Sequence, residues 1–246
     1  MVETVELVER TLILERDDGE MSTFVVRPAS QQTSDLPGVL LLPDAWGMRD
    51  EVRDFARRVA CEGYVVGMPD LYYALSGWDS DSASRKEMLA AKDSLDPARV
   101  AADATVVLAE LRKEEGVKGR VGLVAFCMSG RFAIWTLAAQ PAEFACASIF
   151  YGTDMLEGGP DRLREKLNLV DAELLMFFGD SDPWVDSAEI DGIVEVLEER
   201  SCASEVRVVP GASHAFAHPR GLHYQPEAAE DAWARTFVLL DSHLGR

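Results

Sequence analysis

The sequence predicts an α/β protein with a mostly parallel central sheet, helices on both faces and an antiparallel hairpin at its N-terminal edge. Three observations lead to this prediction. Short apolar runs alternate along the chain with segments of helical hydrophobic period, as in successive β-α-β units. Most of the runs are apolar throughout, which is typical of strands buried on both faces. Near the N-terminus, apolar and polar residues instead alternate on both sides of Asp17-Asp18-Gly19, which indicates a hairpin.

The elements of the N-terminal half follow in chain order from these patterns. They are a hairpin over residues 5–27, a polar loop over 31–37, buried strands over 38–42 and 64–68, and a helix over 52–63. Residues 71–95 carry aromatic, serine and aspartate side chains without a clear period, which favours a lid or a pocket wall. A helix is then predicted from Asp96-Pro97 to residue 115.

The C-terminal half repeats the alternation of strand and helix. Strands are predicted over residues 121–126, 144–151, 174–178 and 206–209, and helices from residue 128 and over 187–200 and 228–244. We expect residues 1–246 to form a single domain, because a chain of this length can bury one large core.

Charge and composition argue against several classes of partner. The net charge is -19 and the pI is about 4.5, whereas binding to nucleic acid or to an anionic membrane needs a positive surface. A small molecule is the expected partner. The sequence has no apolar run of transmembrane length and begins with an acidic stretch, so the expected location is the cytoplasm.

Cys127 is the candidate nucleophile. It follows the apolar residues 123–126 and precedes a helix-like run, so it stands at a strand-to-helix corner, where a side chain is presented at the end of a parallel sheet. Two alternatives are an inert buried thiol and a nucleophilic Ser129, although Ser129 lies two residues into the helix. The other cysteines are far apart and are expected to be free thiols without a chemical role: Cys61, Cys146 and Cys202.

Later strands are followed by a candidate acid and a candidate base. Asp182 lies in the loop after the strand over 174–178, and His214 lies in the loop after the strand over 206–209. A thiol nucleophile needs such a histidine and a carboxylate that orients it. Asp180 competes with Asp182 for this role. His218 lies four residues after His214, but Pro219 follows and no further ligand completes a metal site, so we expect no metal and no cofactor.

Five motifs together resemble the dienelactone hydrolase family, a cysteine-dependent branch of the α/β-hydrolases. They are the loop Pro43-Asp44-Ala45-Trp46-Gly47, the corner Ala125-Phe126-Cys127-Met128-Ser129-Gly130, the loop Gly179-Asp180-Ser181-Asp182-Pro183, the loop His214-Ala215-Phe216, and the closing helix from residue 228 to residue 235. The resemblance implies the α/β-hydrolase fold and a triad of Cys127, Asp182 and His214. It also implies an oxyanion hole from the backbone N–H groups of Ala45 and Met128, and an acyl-thioester intermediate.

The chain departs from the family pattern at three places. Ala125 and Ser129 replace two glycines of the corner. Asp44 stands where the family has a glutamate that helps to switch the cysteine between thiol and thiolate; a simple turn residue is the alternative. His218 replaces the arginine that binds the carboxylate of dienelactone, and Arg220, two residues on, is a possible substitute.

The sequence therefore predicts hydrolysis of a small ester or lactone through Cys127, although the departures argue against dienelactone itself as the substrate. A non-catalytic module that binds a ligand or a protein, and a serine-type esterase acting through Ser129, are the alternatives. The expected pocket residues, any of which could instead belong to the core, are Trp46, Tyr72, Tyr73, Trp184 and Phe216, together with His218 and Arg220.

Overall fold

An eight-stranded sheet forms the centre of the protein in the computed structural model, which describes residues 5–29, 36–114 and 116–245. Its strands are β1 (Leu7–Arg16), β2 (Gly19–Pro28), β3 (Gly38–Leu42), β4 (Val65–Pro69), β5 (Val121–Phe126), β6 (Phe144–Phe150), β7 (Glu173–Gly179) and β8 (Ser204–Val209). Their order across the sheet is β1-β2-β4-β3-β5-β6-β7-β8. Strand β2 is antiparallel to β1 and β4, and the remaining neighbours are parallel.

Helices cover both faces of this sheet. They are α1 (Asp50–Cys61), α2 (Arg85–Asp93), α3 (Pro97–Leu111), α4 (Ser129–Ala139), α5 (Pro160–Leu167), α6 (Ser187–Glu198) and α7 (Pro226–Leu244). The apolar side chains of α2 to α6 pack into one layer of the core, and those of α1 and α7 pack into the other. Along β3, Leu40 and Leu42 face the first layer while Val39 and Leu41 face the second, as the two-residue period of a strand requires.

The predicted fold class is confirmed. The hairpin lies at one edge of the sheet, and the apolar runs form its central strands. Helix α3 begins where predicted, because the Asp96 side chain accepts a hydrogen bond from the Arg99 backbone N–H at 2.8 Å and Pro97 occupies the first turn. It ends at Leu111, and residue 115 lies outside the described residues, as does most of the predicted polar loop over 31–37.

Two helices were not predicted from the sequence. Helix α2 lies inside the segment 71–95, where a capping box between Ser84 and Glu87 starts it. Helix α5 is a single short element of eight residues. Each of these helices buries only two residues, so the helical period of its apolar residues is too weak to be recognised in the sequence. None of the described helices has the length and apolar character that a membrane crossing needs.

Candidate active site

Cys127 lies at a tight corner between β5 and α4. Its backbone has a φ of 55°, in the left-handed region that non-glycine residues rarely adopt. Hydrogen bonds hold the corner in place: the Cys127 N–H donates to the Phe150 carbonyl at 3.0 Å, and the Cys127 carbonyl accepts from the N–H groups of Gly130 at 2.9 Å and Thr153 at 3.0 Å. The strained turn presents the sulfur at the carboxyl edge of the sheet.

The imidazole of His214 lies between Cys127 and Asp182. Its Nε2 atom is 3.1 Å from the Cys127 sulfur, and its Nδ1 atom is 2.8 Å from Oδ2 of Asp182. The other carboxylate oxygen of Asp182 accepts the Trp184 N–H at 2.8 Å, and the side chain is fully buried. The structure thus brings together the three side chains that the sequence analysis singled out, in hydrogen-bonded order.

The two loops that carry Asp182 and His214 pack directly against each other. A Cβ atom on Gly179 would lie 2.2 Å from the Ala212 carbonyl oxygen, so only glycine allows this approach at the end of β7. The Ser181 N–H donates to that same carbonyl at 2.9 Å. Asp180, the competing acid, instead accepts the Gly211 N–H at 2.7 Å. Asp180 therefore holds the two loops together, while Asp182 faces the histidine.

The electrostatic surroundings of His214 favour its protonated form. Burial lowers the pKa of the imidazole, but hydrogen bonds to Asp182 and Cys127, and the charge of these two groups, outweigh it and raise the pKa to about 10. An imidazolium at neutral pH is the partner that stabilises a thiolate.

Asp44 lies in the loop after β3 and lines the same cavity as Cys127. Its Oδ1 atom accepts the Trp46 N–H at 2.8 Å, and its own carbonyl accepts the Gly47 N–H at 3.0 Å, so Asp44 organises the turn. Burial raises the pKa of the carboxyl group, although the Trp46 N–H and the nearby His218, His214 and Arg49 act in the opposite direction. The neutral acid is thus favoured more strongly than in an exposed aspartate.

The backbone N–H groups of Ala45 and Met128 form no hydrogen bond with any residue that the structure describes. Both residues are buried beside the corner, where unpaired backbone donors are uncommon. Ser129 points elsewhere: its hydroxyl group is fully buried and donates to the carbonyl oxygen of Pro43. A serine held in this way is not presented to a substrate.

A cavity of about 290 Å³ opens over Cys127 and His214. Its walls come from the loop after β3, from helix α2, and from the loops after β6, β7 and β8. The lining residues are Asp44, Ala45, Trp46, Arg85, Met88, Leu89, Lys92, Cys127, Thr153, Asp154, Pro183, Trp184, His214, Ala215 and His223. The volume suits a small molecule that reaches the sulfur.

Comparison with known proteins identifies the family. The sequence model of the dienelactone hydrolase family matches residues 21–244. The chain belongs to the dienelactone hydrolase family. It is therefore an enzyme of that type, a hydrolase of carboxylic esters or lactones.

Relatives extend the match over most of the chain. A Bradyrhizobium protein named "Probable 2-oxo-3-(5-oxofuran-2-ylidene)propanoate lactonase" is 27% identical over 226 residues, which cover 90% of this chain and 89% of the relative. A "Putative carboxymethylenebutenolidase" of Escherichia coli strain K12 is 27% identical over 230 residues, 92% of this chain and 84% of the relative. The crystal structure of a "Putative Dienelactone Hydrolase" from Klebsiella pneumoniae has the same fold, with a TM-score of 0.83, 23% identity, and coverage of 96% and 98% of the two chains.

In this dienelactone hydrolase family member, the predicted pocket residues divide into two groups. Trp46 and Trp184 line the cavity. Tyr72 and Phe216 do not: both are buried in the core. Tyr73 also lies elsewhere, with its hydroxyl group 2.7 Å from Asp18 at the tip of the hairpin. Aromatic side chains can face either way in a loop, and local composition does not distinguish the two cases.

His218 and Arg220 do not line the cavity either. The His218 ring packs edge-on against Phe55 with centroids 5.2 Å apart. The guanidinium group of Arg220 is half exposed and pairs with Asp54 of α1 at 2.6 Å. The expectation that Arg220 replaces the family arginine in the cavity is therefore corrected, because α1 supplies the carboxylate that holds it.

Two cationic residues of the cavity wall, Arg85 and Lys92, were not foreseen. Both lie on α2, and the capping box of that helix was the signal that could have located them. Lys92 pairs with Asp154, another wall residue, at 2.9 Å. Arg85 forms no hydrogen bond or ion pair within the described ranges; its guanidinium group lies 5.6 Å from the centre of the Trp184 ring.

The remaining cysteines differ in their exposure. Cys61 is exposed, Cys146 is buried in β6, Cys202 is half-buried, and all four cysteines are free thiols. Across the described residues, no three histidine, cysteine, aspartate or glutamate side chains lie close enough together to hold a metal ion.

Proposed function

We propose that this enzyme hydrolyses a small, carboxylate-bearing ester or lactone through an acyl-thioester on Cys127. The observation that carries the proposal is the position of His214 Nε2, which is 3.1 Å from the Cys127 sulfur while Nδ1 is 2.8 Å from Asp182. Nucleophile, base and orienting acid within hydrogen-bond reach of one another are the requirement for nucleophilic catalysis.

The first half of the reaction forms the acyl-enzyme. The Cys127 thiolate attacks the carbonyl carbon, a C–S bond forms, and the carbonyl electron pair moves onto oxygen. The N–H groups of Ala45 and Met128, which have no partner among the described residues, are the donors for this oxyanion. The C–O bond then breaks, and the departing alkoxide takes the proton from His214 Nε2. In a lactone, the released hydroxyl group stays in the acyl chain.

The second half hydrolyses the thioester. His214, now neutral, takes a proton from water, whose oxygen bonds to the acyl carbon. The C–S bond breaks, the acid is released, and the thiolate and imidazolium are restored. Asp182 keeps the imidazole oriented through both steps, because its carboxylate holds Nδ1 and is itself held by the Trp184 N–H.

Asp44 is proposed to assist as a proton-exchanging acid. Burial raises the pKa of its carboxyl group, so the neutral form is accessible in the cavity that also holds Cys127. It would thus take the part of the family glutamate. A reducing compartment keeps cysteines as free thiols, which supports the cytoplasm as the proposed place of action.

The position of Arg85 in the cavity wall is the reason to propose a carboxylate on the substrate. It is a cavity cation without an ion pair among the described residues, whereas Lys92 is paired with Asp154. The Bradyrhizobium relative is named for a lactone whose other end is a propanoate. Guanidinium groups bind carboxylates through two parallel hydrogen bonds. We therefore place the carboxylate of the substrate near Arg85 and its ester or lactone carbonyl over Cys127.

Trapping of the acyl group tests the nucleophile. Wild-type protein is mixed with an activated aryl ester, quenched in acid and digested with trypsin, and the peptide of residues 121–131 is fragmented so that Cys127 and Ser129 are distinguished. The acyl group is expected on Cys127. Cys127→Ala should lower kcat/KM by about 10⁴-fold or more, whereas the exposed-thiol control Cys61→Ala should keep full activity.

Three outcomes would contradict this assignment. An acyl group on Ser129 would establish the serine-type esterase. Equal turnover by wild type and Cys127→Ala would rule out Cys127 as the nucleophile. No turnover of any ester or lactone by wild type would favour the non-catalytic binding module.

Paired esters test the role of Arg85. For an ester with a distal carboxylate, Arg85→Gln should lower kcat/KM by about 10- to 100-fold, the effect of losing one charged hydrogen-bond partner. The matching ester without a carboxylate should be unaffected. Arg220→Gln is the control, because Arg220 is paired with Asp54 outside the cavity. Equal losses on both esters would rule out carboxylate recognition by Arg85.

A further inference from the structure

The hydroxyl group of Tyr72 connects the two residues that supply the proposed oxyanion hole. It donates a hydrogen bond to the carbonyl oxygen of Ala45 at 2.9 Å, and it lies 3.4 Å from the sulfur of Met128. These two residues belong to different loops, one after β3 and one after β5, and Tyr72 comes from a third loop, after β4. One buried side chain thus contacts both sides of the site from behind.

We propose that Tyr72 is a positioning residue that aligns the Ala45 and Met128 N–H groups on the developing oxyanion. The inference rests on the proposed function, because it assumes that these two groups bind the oxyanion. It assigns Tyr72 no contact with the substrate.

Hydrogen bonds within the loop after β3 set its internal geometry, and the bond from Tyr72 sets its position relative to the other loops of the site. The Asp44 side chain fixes the Trp46 N–H, and the Asp44 carbonyl fixes the Gly47 N–H. The Asp44 carbonyl shares a planar peptide unit with the Ala45 N–H, which has no partner in the described structure, so the bond from Gly47 sets the direction of this donor within the loop. The Ala45 carbonyl belongs to the next peptide unit, and the bond from Tyr72 ties that unit to the loop after β4 and to the Met128 side chain, which holds the turn in place relative to the Cys127 corner. Oxyanion donors stabilise charge only when they are aligned in advance.

Tyr72 is itself firmly held. Its ring packs against Trp78 with centroids 4.5 Å apart, and its N–H donates to the Asp70 carboxylate at 2.9 Å. A Cβ atom on Gly47 would lie only 3.0 Å from the tyrosine ring, so ring and loop are in close contact. Burial raises the pKa of the Tyr72 hydroxyl, so the group remains a donor over the working pH range. The ring supplies the packing, and the hydroxyl supplies the tether.

Removal of the hydroxyl alone separates these two contributions. Tyr72→Phe is compared with Tyr64→Phe, a variant of another fully buried tyrosine, whose hydroxyl bonds to Asp241 at 2.5 Å and whose ring lies in the other core layer. Tyr72→Phe is expected to lower kcat by about 10- to 100-fold, below the loss for removing a donor outright, with KM changed less than about twofold. Tyr64→Phe should retain the wild-type kcat, and the two variants should have similar melting temperatures.

Two further readouts distinguish alignment of the oxyanion hole from general loosening. The rate at which iodoacetamide alkylates Cys127 should be unchanged in Tyr72→Phe, because that reaction forms no oxyanion. An ester and its thionoester, in which sulfur replaces the carbonyl oxygen, are then compared. Sulfur is the weaker hydrogen-bond acceptor, so wild type should prefer the oxygen ester, and Tyr72→Phe should lose part of that preference.

Failure of the Tyr72 assignment and failure of the proposed function give different results. A kcat for Tyr72→Phe equal to that of Tyr64→Phe, or equal losses on ester and thionoester, would overturn the assignment of Tyr72 while leaving the nucleophile intact. Failure of the proposed function would appear differently, as absence of an acyl-enzyme in wild type and in Tyr64→Phe, and it would remove the basis of this inference as well.

Discussion

Backbone strain in the described part of the chain is concentrated around the sulfur of Cys127. In the described part of the chain, the non-glycine residues with positive φ are Cys127, Tyr151, Asp154 and Ala215. Each follows the carboxyl end of β5, β6 or β8, where the loops of the site begin. Such conformations cost on the order of 1–3 kcal/mol each and persist only where surrounding contacts hold them. The strain is consistent with a preorganised site.

At the same scale, Asp44→Asn is expected to stabilise the protein at neutral pH by on the order of 1 kcal/mol. The pKa of Asp44 is raised by burial in the folded state, so its contribution to stability is complete below the unfolded pKa, about 3.9. That contribution is lost as the pH rises through the higher folded value. Asparagine keeps an oxygen that accepts the Trp46 N–H and carries no charge.

Urea unfolding at pH 4 and pH 7 measures this effect. The stability gained by Asp44→Asn should be larger at pH 7, and Asp191→Asn, on the exposed face of α6, should show no such difference. Activity should fall in Asp44→Asn if the carboxyl group exchanges protons with the cysteine. An unchanged rate would reduce Asp44 to a turn residue, and a lower stability at pH 7 would contradict the burial argument.

At the scale of elements, the docking of α4 on the loop after β6 depends on two facing glycines. A Cβ atom on Gly130 would lie 2.5 Å from the Cα atom of Gly152, so the backbones touch at the start of the helix. The family pattern has three glycines in the corner, and Gly130 is the one that this chain keeps. The replacements at Ala125 and Ser129 are accommodated: Ala125 is buried in β5, and Ser129 forms its bond to Pro43.

Gly130→Ala should therefore destabilise the protein by about 1–3 kcal/mol through overpacking and lower the activity by shifting Cys127. Gly192→Ala, within α6, is the matched control. Its Cβ would contact only the flexible end of Leu156, and alanine favours a helix by up to about 1 kcal/mol over glycine. Thermal denaturation of both variants gives the comparison, and equal stabilities would show that the Gly130–Gly152 contact is not limiting.

Helix α2 lines the cavity over Cys127 and is held to the rest of the fold by several contacts. Its Lys92 pairs with Asp154 at 2.9 Å, and the segment before it is held by hydrogen bonds from Arg49 to the carbonyl oxygens of Ser80 and Ala83. Arg49 also lies over the ring of Trp46, 4.0 Å from its centre. These contacts hold the segment 71–95 in place as a wall of the cavity. They also keep helix α2, and with it Arg85, at the cavity.

At the scale of the whole molecule, the net charge of -19 should make stability depend on salt. Repulsion among like charges acts over the longest distances, so it is screened before the close ion pairs are. The free energy of unfolding at pH 7 should therefore increase between about 10 mM and about 150 mM NaCl, over which the Debye length falls from about 30 Å to about 8 Å.

The same salt series near pH 4.5, close to the pI, provides the control. With a net charge near zero, the increase should disappear. A stability that falls with salt at pH 7 would mean that the surface ion pairs, such as Arg58 with Glu230, outweigh the repulsion.

The sequence by itself determined the sheet, the hairpin, the family and the chain order of the candidate nucleophile, acid and histidine. These features are local: apolar runs define strands, and the residues directly after them define the loops at the carboxyl edge. A reader of the sequence can therefore name Cys127, Asp182 and His214 as candidates. The short helix α2 was missed because only two of its residues are buried, which leaves little period to detect.

Only the tertiary structure decided which way the loop side chains face. Arg220 pairs with Asp54, 166 positions away, and the Tyr72 hydroxyl meets Met128 56 positions away. Such contacts depend on the paths of several loops at once, and a one-residue change in a turn reverses the face that a side chain presents. For that reason the structure was needed to place Arg85 and Lys92 in the cavity wall and Tyr72 in the core beside the site.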